Sequence, residues 1–195
     1  MKNLKYLLVV IFAAATTSWI ACNNESKNPE NTDTKKDAEE HNDAKFDHKA
    51  EKDAQFMVDA ADISLAEMSM GQLAETNAMT ADTKELGKMM NTDHKKAYDE
   101  LVALAKKKSI TVPTNMSEAA KKDYDDLAGK TGADFDKKYC TMMVNGHKDA
   151  IEKFEKASKD AVDPDIQAWA ANMLPALRSH LDHSMNCEKK TASLK

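Results

Sequence analysis

The chain has 195 residues, of which 42% are hydrophobic and 31% are charged, so its length and composition suit one folded domain with short appendages. Five glycines, four prolines and only 6% aromatic residues leave a sequence dominated by helix formers, which predicts an all-α fold. The formal net charge is −5, and this acidic balance argues against nucleic acid as a partner.

Residues 1–21 have the layout of a secretory signal peptide. Lys2 and Lys5 precede an apolar run at 6–15 that is too short to span a bilayer. Residues 19–22, Trp-Ile-Ala-Cys, resemble a bacterial lipobox, which predicts a lipid-modified Cys22 at the mature N-terminus. We therefore expect a lipoprotein of the cell envelope, held in the outer membrane by its lipid and facing the periplasm. Ordinary signal cleavage that leaves Cys22 unmodified is the alternative.

Residues 22–45 have the composition of a disordered tether. They are rich in Asn, Asp, Glu, Lys and Thr, and they contain no aliphatic residue larger than alanine. Such a segment buries too little apolar area to offset the entropy lost on ordering. His41 and His48, in or beside the tether, are interpreted as solvated residues and not as ligands. The folded domain is expected to cover residues 46–190.

Apolar residues recur at helical spacing from Phe46 onward and predict four long helices. Thr80 is expected to cap the second of them. Asp163 followed by Pro164 predicts the start of the fourth, because an N-cap carboxylate before a proline at the first helical position is a strong start signal. Pro175 lies inside the fourth helix and predicts a kink there.

The segment between the second and third long helices is expected to hold a short extra helix. Asn115 with Glu118 reads as a capping box, Gly129 as the end of that helix, and Thr131 as the cap of the next one. The whole segment, 109–132, is long enough to cross back along the other helices, which would make the second and third long helices parallel. We therefore predict a ferritin-like antiparallel four-helix bundle, with a simple up-down bundle as the alternative.

Four polar residues are predicted to meet inside this bundle. In two antiparallel helices, residues at one level have numbers with a constant sum, which sets Glu67 level with His94 and His147 level with His180. All four lie on apolar faces near the middle of their helices. One carboxylate and three imidazoles would suit a divalent metal ion such as zinc, iron or manganese. A metal-free hydrogen-bonded network of the same groups is the alternative. The candidate outer partners of the histidines are Asp93, Asp182 and His183.

Other metal chemistry has less support. The chain has twelve methionines, and Met90, Met143 and Met185 lie near the histidines, which suits Cu(I), although methionine is also a common core filler. No glutamate stands three residues before a histidine, so a ferritin-type di-iron centre is not expected. No catalytic or cofactor-binding residue is predicted, because the sequence shows no Ser-His-Asp spacing, glycine-rich phosphate loop or zinc-protease signature. An enzyme that activates water at an open metal position is the third hypothesis, after a binding module and a structural module. The sequence indicates no particular protein partner.

The same arithmetic sets Cys140 level with Cys187, seven residues from His147 and His180 respectively. An exported chain folds in an oxidising compartment, so these two cysteines are expected to form a disulfide. It would close a loop of about 46 residues and, in the chain-entropy model, contribute about 4 kcal/mol to stability. Two unpaired thiols are the alternative.

The chain contains a set of short motifs on its predicted helices: Leu65-Ala-Glu67, Gly71-Gln-Leu-Ala74, Asp93-His94, Phe135-Asp136, Tyr139, His147, Leu174-Pro175 and His180-Leu181. Together they resemble the bacterial domain of unknown function 4142, and the resemblance spans about residues 46–183. It implies an exported ferritin-like helical bundle, often described as an outer-membrane protein, with no established activity.

Overall fold

The structure, a computed structural model, describes residues 33–195. The predicted signal peptide, Cys22 and the first part of the predicted tether lie outside the described residues. The described part contains six α-helices and no strand, which confirms the all-α prediction: α1 (Thr34–Asp43), α2 (His48–Asn77), α3 (Ala81–Lys108), α4 (Glu118–Ala128), α5 (Gly132–Asp160) and α6 (Pro164–Thr191). None of these helices combines the length and apolarity needed to cross a membrane.

The prediction of a disordered tether is wrong for residues 34–43, which form α1. Asp33 caps this helix by accepting hydrogen bonds from the backbone N–H groups of Lys35 and Lys36. Ala38 and Asn42 are buried against the rest of the domain. The Asn42 side chain both donates to the carbonyl and accepts from the N–H of Thr111. A paired amide and one small buried face therefore order a segment whose composition lacks large apolar residues.

The predicted caps of α3 and α6 are confirmed, whereas Thr131 stands at the N-cap of α5 without a side-chain hydrogen bond to the helix. The Thr80 side chain accepts from the Thr83 N–H at the start of α3, and Asp163 accepts from two N–H groups at the start of α6. The predicted cap of α4 is wrong: Ser117, not Asn115, accepts from the Ala120 N–H. Ser117 is held at the start of α4 by Asp62, a buried residue of α2. The Asp62 carboxylate accepts hydrogen bonds from the backbone N–H and the hydroxyl of Ser117.

Two buried carboxylates fix the ends of the helices relative to one another. Asp136, in the first turns of α5, accepts from the backbone N–H groups of Met79 and Thr80 in the turn between α2 and α3. Asp53, near the start of α2, accepts from Val162 and Asp163 in the turn between α5 and α6. The start of α5 thus lies beside the start of α3, and the two helices run in the same direction.

The core consists of two apolar clusters, one toward each end of the long helices. The first cluster is built around Met57, Leu101, Phe154 and Ile166. The second lies toward the other end of the same helices and contains Met70, Leu86, Met90, Phe135, Tyr139, Cys140 and Cys187. On each long helix, the residue predicted to belong to the polar centre lies between the residues of the two clusters.

A buried glutamate and three histidines as a candidate metal centre

The four predicted residues come together where the two apolar clusters meet. Glu67 lies on α2, His94 on α3, His147 on α5 and His180 on α6, and each is at most 5% exposed. The three imidazole rings lie 5.2–5.7 Å apart, centre to centre. Nitrogen atoms of the three histidines lie within 4.8 Å of one another. In the described part of the chain, no other group of three histidine, cysteine, aspartate or glutamate residues converges in this way.

Hydrogen bonds at the periphery decide which nitrogens face the centre. Nδ1 of His147 lies 2.9 Å from the carbonyl oxygen of Met143, which can only accept, so Nδ1 carries the proton. Nε2 of His180 lies 2.9 Å from a carboxylate oxygen of Asp93 and donates to it. In the neutral rings, His147 Nε2 and His180 Nδ1 are therefore both lone-pair acceptors.

These two acceptors face each other at 3.3 Å. No proton is left to lie between them, because both rings have already donated their only one outward. Two facing lone pairs repel unless a cation, either an added proton or a metal ion, lies between them or beside them. The peripheral bonds thus prepare the inward nitrogens for a Lewis acid, as second-shell partners of metal-bound histidines do.

Glu67 adds a carboxylate oxygen to the same space. Its Oε2 lies 2.6 Å from His94 Nε2 and 3.4 Å from His147 Nε2. The approach to His94 is close enough for an ion pair, but it lies off the direction of a hydrogen bond. Glu67 Oε2 and both His94 nitrogens consequently have no hydrogen-bond partner although they are buried. Buried polar atoms without partners are costly and uncommon, which points to a missing ligand.

The charges of the centre depend on one another. Burial alone would raise the pKa of Glu67, but the neighbouring imidazoles, His94 first, lower it to about 2. Burial opposes a charge on His94, yet the Glu67 carboxylate raises the pKa of this histidine above its usual value. Burial, together with the two other imidazoles, lowers the pKa of His180 despite its bond to Asp93. Without a metal, the carboxylate is therefore balanced mainly by a protonated His94.

The outer partners expected from the sequence are only partly brought to the centre. Asp93, whose own side chain is half exposed, contacts His180, whereas Asp182 and His183 are exposed and have no hydrogen bond or ion pair with the centre. His41 and His48, interpreted as solvated, are also exposed at the surface. Of the methionines considered for copper, Met90 and Met143 are core residues and Met185 is half exposed.

Sequence reasoning missed Gly146, which makes room for the carboxylate. A Cβ atom at this position of α5 would lie 3.4 Å from Glu67 Oε1, tighter than most contacts of real Cβ atoms. The glycine directly precedes His147 in the middle of a long helix, where glycine costs about 1 kcal/mol relative to alanine. A glycine at an interior helix position next to a candidate histidine could therefore have indicated that another side chain packs closely there.

The fold and the centre together define an all-α domain that directs one carboxylate and three imidazoles into its own core. The chain belongs to the family described as Domain of unknown function (DUF4142), which matches residues 26–186. Neither a curated protein nor a solved structure matches the chain.

Proposed function

We propose that this protein is a lipid-anchored module of the cell envelope that binds one divalent metal ion in its core through Glu67, His94, His147 and His180. The observation that carries the proposal is the facing pair of acceptor nitrogens on His147 and His180 beside the unpartnered oxygen of Glu67. A cation at this point would satisfy these atoms and His94 together, and three nitrogens with one oxygen suit zinc, iron or manganese. Copper(I) fits less well, because this soft ion prefers sulfur ligands to the carboxylate that the centre contains.

We further infer that the four long helices form a ferritin-like bundle. The shared direction of α3 and α5, with α4 in the connection between them, supports this topology, because one long crossover distinguishes it from an up-down bundle. In such bundles, metal sites are built from inward side chains of facing helices. The mononuclear set here differs from a di-iron centre, which needs two Glu-x-x-His motifs.

The competing function is a metal-free structural or interaction module of the envelope. It is favoured by the 2.6 Å contact between Glu67 and His94, because a protonated His94 neutralises the buried carboxylate without any ion. In that metal-free protein, a proton shared by the facing nitrogens of His147 and His180 would take the place of the metal ion between them.

Metal binding separates the two functions. We expect purified full-length protein in detergent to retain close to one equivalent of metal after dialysis, as measured by elemental analysis. In calorimetric titration of metal-stripped protein, His147→Ala and His180→Ala should each weaken binding at least a hundredfold, because each removes a ligand of a three-nitrogen set. His41→Ala and His48→Ala, which remove exposed imidazoles, should bind like the wild type.

Wild-type protein that binds none of zinc, iron(II) or manganese would leave the metal-free function in place. Equal losses in all four variants would also contradict the core site, because surface histidines would then account for the binding.

A further inference from the structure

A disulfide lies two helical turns from the metal centre, on the same helices. Cys140 of α5 and Cys187 of α6 are bonded, with their Cα atoms 5.7 Å apart. Both cysteines are buried, at 0% and 4% exposure. Each is seven residues from a histidine of the centre, about 10.5 Å along the helix axis. The bond therefore fixes the spacing of α5 and α6 close to the point where His147 and His180 face each other.

The disulfide also contacts the helix that carries the third histidine. The hydroxyl of Thr83, in the first turn of α3, lies 3.5 Å from the Cys187 sulfur and 3.9 Å from the Cys140 sulfur. The same hydroxyl donates to Asp136 of α5 at 3.0 Å. One compact junction thus joins α3, α5 and α6, which are the three helices that supply the imidazoles.

A surface pocket borders the junction. Cys187 lines a pocket of about 340 Å³ between the first turns of α3 and the last turns of α6. Asp82 and Leu86 line the α3 side of this pocket, and His183 and Lys190 line the α6 side. Cys187 is therefore the half of the disulfide that borders the pocket, whereas Cys140 is fully buried and does not line it.

We propose that the redox state of the Cys140–Cys187 disulfide regulates the affinity of the core metal centre, with the oxidised protein as the high-affinity state. This inference rests on the proposed metal-binding function. A metal bound by protein ligands needs its donor atoms within about 0.2 Å of set distances. Two free thiols cannot remain at bonding distance, so reduction lets α5 and α6 separate or rotate at the junction, and the donor atoms two turns away lose their fixed spacing.

The chemistry of the switch is thiol–disulfide exchange with a dithiol reductant. A thiolate of the reductant attacks the Cys187 sulfur, and the Cys140 sulfur leaves as a thiolate that takes up a proton. The second thiol of the reductant then attacks the mixed disulfide and releases Cys187. The protein disulfide gains two electrons and two protons, and the dithiol is oxidised to a disulfide.

The coupling has to be reciprocal. If the disulfide strengthens metal binding by a given factor, then bound metal stabilises the disulfide against reduction by the same factor. A tenfold coupling corresponds to a shift of about 30 mV in the reduction potential of this two-electron couple. A disulfide that only stabilises the fold shows no such linkage.

The test compares zinc affinity in the two redox states of the full-length protein. We expect the dissociation constant to rise at least tenfold when the disulfide is reduced by a phosphine, which leaves no thiol reagent to bind zinc. The double variant Cys140→Ser/Cys187→Ser should show the same loss, which excludes zinc binding by the new thiols. Equilibration in a glutathione redox buffer should show the reciprocal shift between zinc-free and zinc-loaded protein, with the free zinc concentration fixed by a metal buffer because glutathione itself binds zinc.

The matched control is Leu101→Ala, which removes a fully buried side chain from the other apolar cluster. It should lower stability by about 3–5 kcal/mol and leave zinc affinity within a factor of three. Equal affinity in the oxidised and reduced proteins, or an equal loss in Leu101→Ala, overturns the regulation while the metal site stands. Absence of zinc binding in both redox states overturns the metal-binding function and the regulation together.

Discussion

Glu67 is the residue on which the electrostatics of the core depend. It is 5% exposed, and the cations that can neutralise it are the imidazoles around it or a metal ion among them. A buried charge persists only when it is paired, so the glutamate and the histidines form one unit whose protonation and metal binding are coupled. Substituting any one of them changes the state of the others.

The pH dependence of the metal-free protein follows from this unit. The folded pKa of Glu67, about 2, lies below its value of 4.5 in an unfolded chain. The charged carboxylate therefore stabilises the fold above about pH 4.5, and this contribution is lost as the pH falls toward 2. His94 has the opposite sign: its raised pKa contributes stability below pH 6.5 that is lost as the pH rises through the folded pKa.

We expect Glu67→Gln to flatten the stability of the metal-free protein between pH 4.5 and 2, because the substituted amide does not titrate. Denaturant unfolding at a series of pH values would measure this. Glu152→Gln, the same change at an exposed site, should keep the slope of the wild type. If Glu67→Gln lost as much stability between pH 4.5 and 2 as the wild type does, Glu67 would not be the group that titrates in this range.

Asp93 acts on the candidate metal centre through His180. Its carboxylate accepts a hydrogen bond from the Nε2–H group of His180 and so leaves the Nδ1 lone pair directed inward. Asp93→Ala should therefore weaken metal binding about 10- to 100-fold in calorimetric titration, the usual cost of losing an outer partner. Asp182→Ala, at the exposed aspartate two residues after His180, should leave affinity unchanged. Similar losses in both variants would instead indicate a general electrostatic effect of removing one negative charge.

The pairings of the centre could be predicted, but the choice between these two aspartates could not. Glu67 meets His94, and His147 meets His180, because equal rise per residue in antiparallel helices fixes the level of every side chain. Asp93 directly precedes His94, and Asp182 follows His180 by two residues, so both are close in sequence to a histidine of the centre. Which of them faces the centre depends on the rotation of each helix about its axis, and the apolar pattern defines this rotation only coarsely.

At the scale of the helices, two glycines set the distance between α2 and α3. A Cβ atom on Gly87 would lie 2.7 Å from the carbonyl oxygen of Gly71 and 2.8 Å from the side chain of Ala74. A Cβ atom on Gly71 would in turn lie 2.6 Å from the carbonyl oxygen of Gly87. The backbones are therefore in contact, about one turn beyond Glu67 along α2. This close packing holds the carboxylate against His94.

We expect Gly87→Ala to lower the free energy of unfolding by about 1–3 kcal/mol, because the overpacked helices must separate. The loss occurs although alanine gains about 1 kcal/mol of helix propensity. Gly129→Ala is the matched control, since its Cβ would meet only ordinary contacts at 3.6 and 3.7 Å and should change stability by less than about 0.5 kcal/mol. Chemical denaturation would measure both. A stabilised Gly87→Ala variant would contradict the tight crossing.

The limits of prediction at this scale concern contacts distant in sequence. The start of α6 at Pro164 was predicted from a local signal, an aspartate before a proline. α1 was missed because its order depends on Asn42 reaching Thr111, 69 residues away. The cap of α4 was misplaced for the same reason, because Asp62 selects Ser117 across 55 residues. Such pairs have no local sequence pattern.

For the molecule as a whole, the polar core joins two apolar halves. Asp136 and Asp53 hold the turns at opposite ends, and the glutamate and three histidines lie between the two clusters. Each apolar cluster joins all four long helices, and a cation between the clusters would join them at a third level. The protein therefore combines a hydrophobic core at each end with an electrostatic junction at the middle.

If Cys22 carries the proposed lipid, the order of α1 limits how far the domain can lie from the membrane. Since the helix begins at Thr34, only residues 23–33 remain between the expected lipid on Cys22 and the folded domain. A fully extended chain spans at most about 3.5 Å per residue, so the domain would remain within roughly 40 Å of the bilayer surface.

Cys22→Ala should release the protein from the membrane fraction or block its processing, because the substitution removes the atom to which the lipid is attached. Mass spectrometry of the mature wild-type N-terminus should show a lipid-modified cysteine that begins the chain. Asn24→Ala, two residues further on, retains the cysteine and should remain in the membrane fraction. A mature chain that starts at another residue, or an unmodified Cys22, would contradict the anchor.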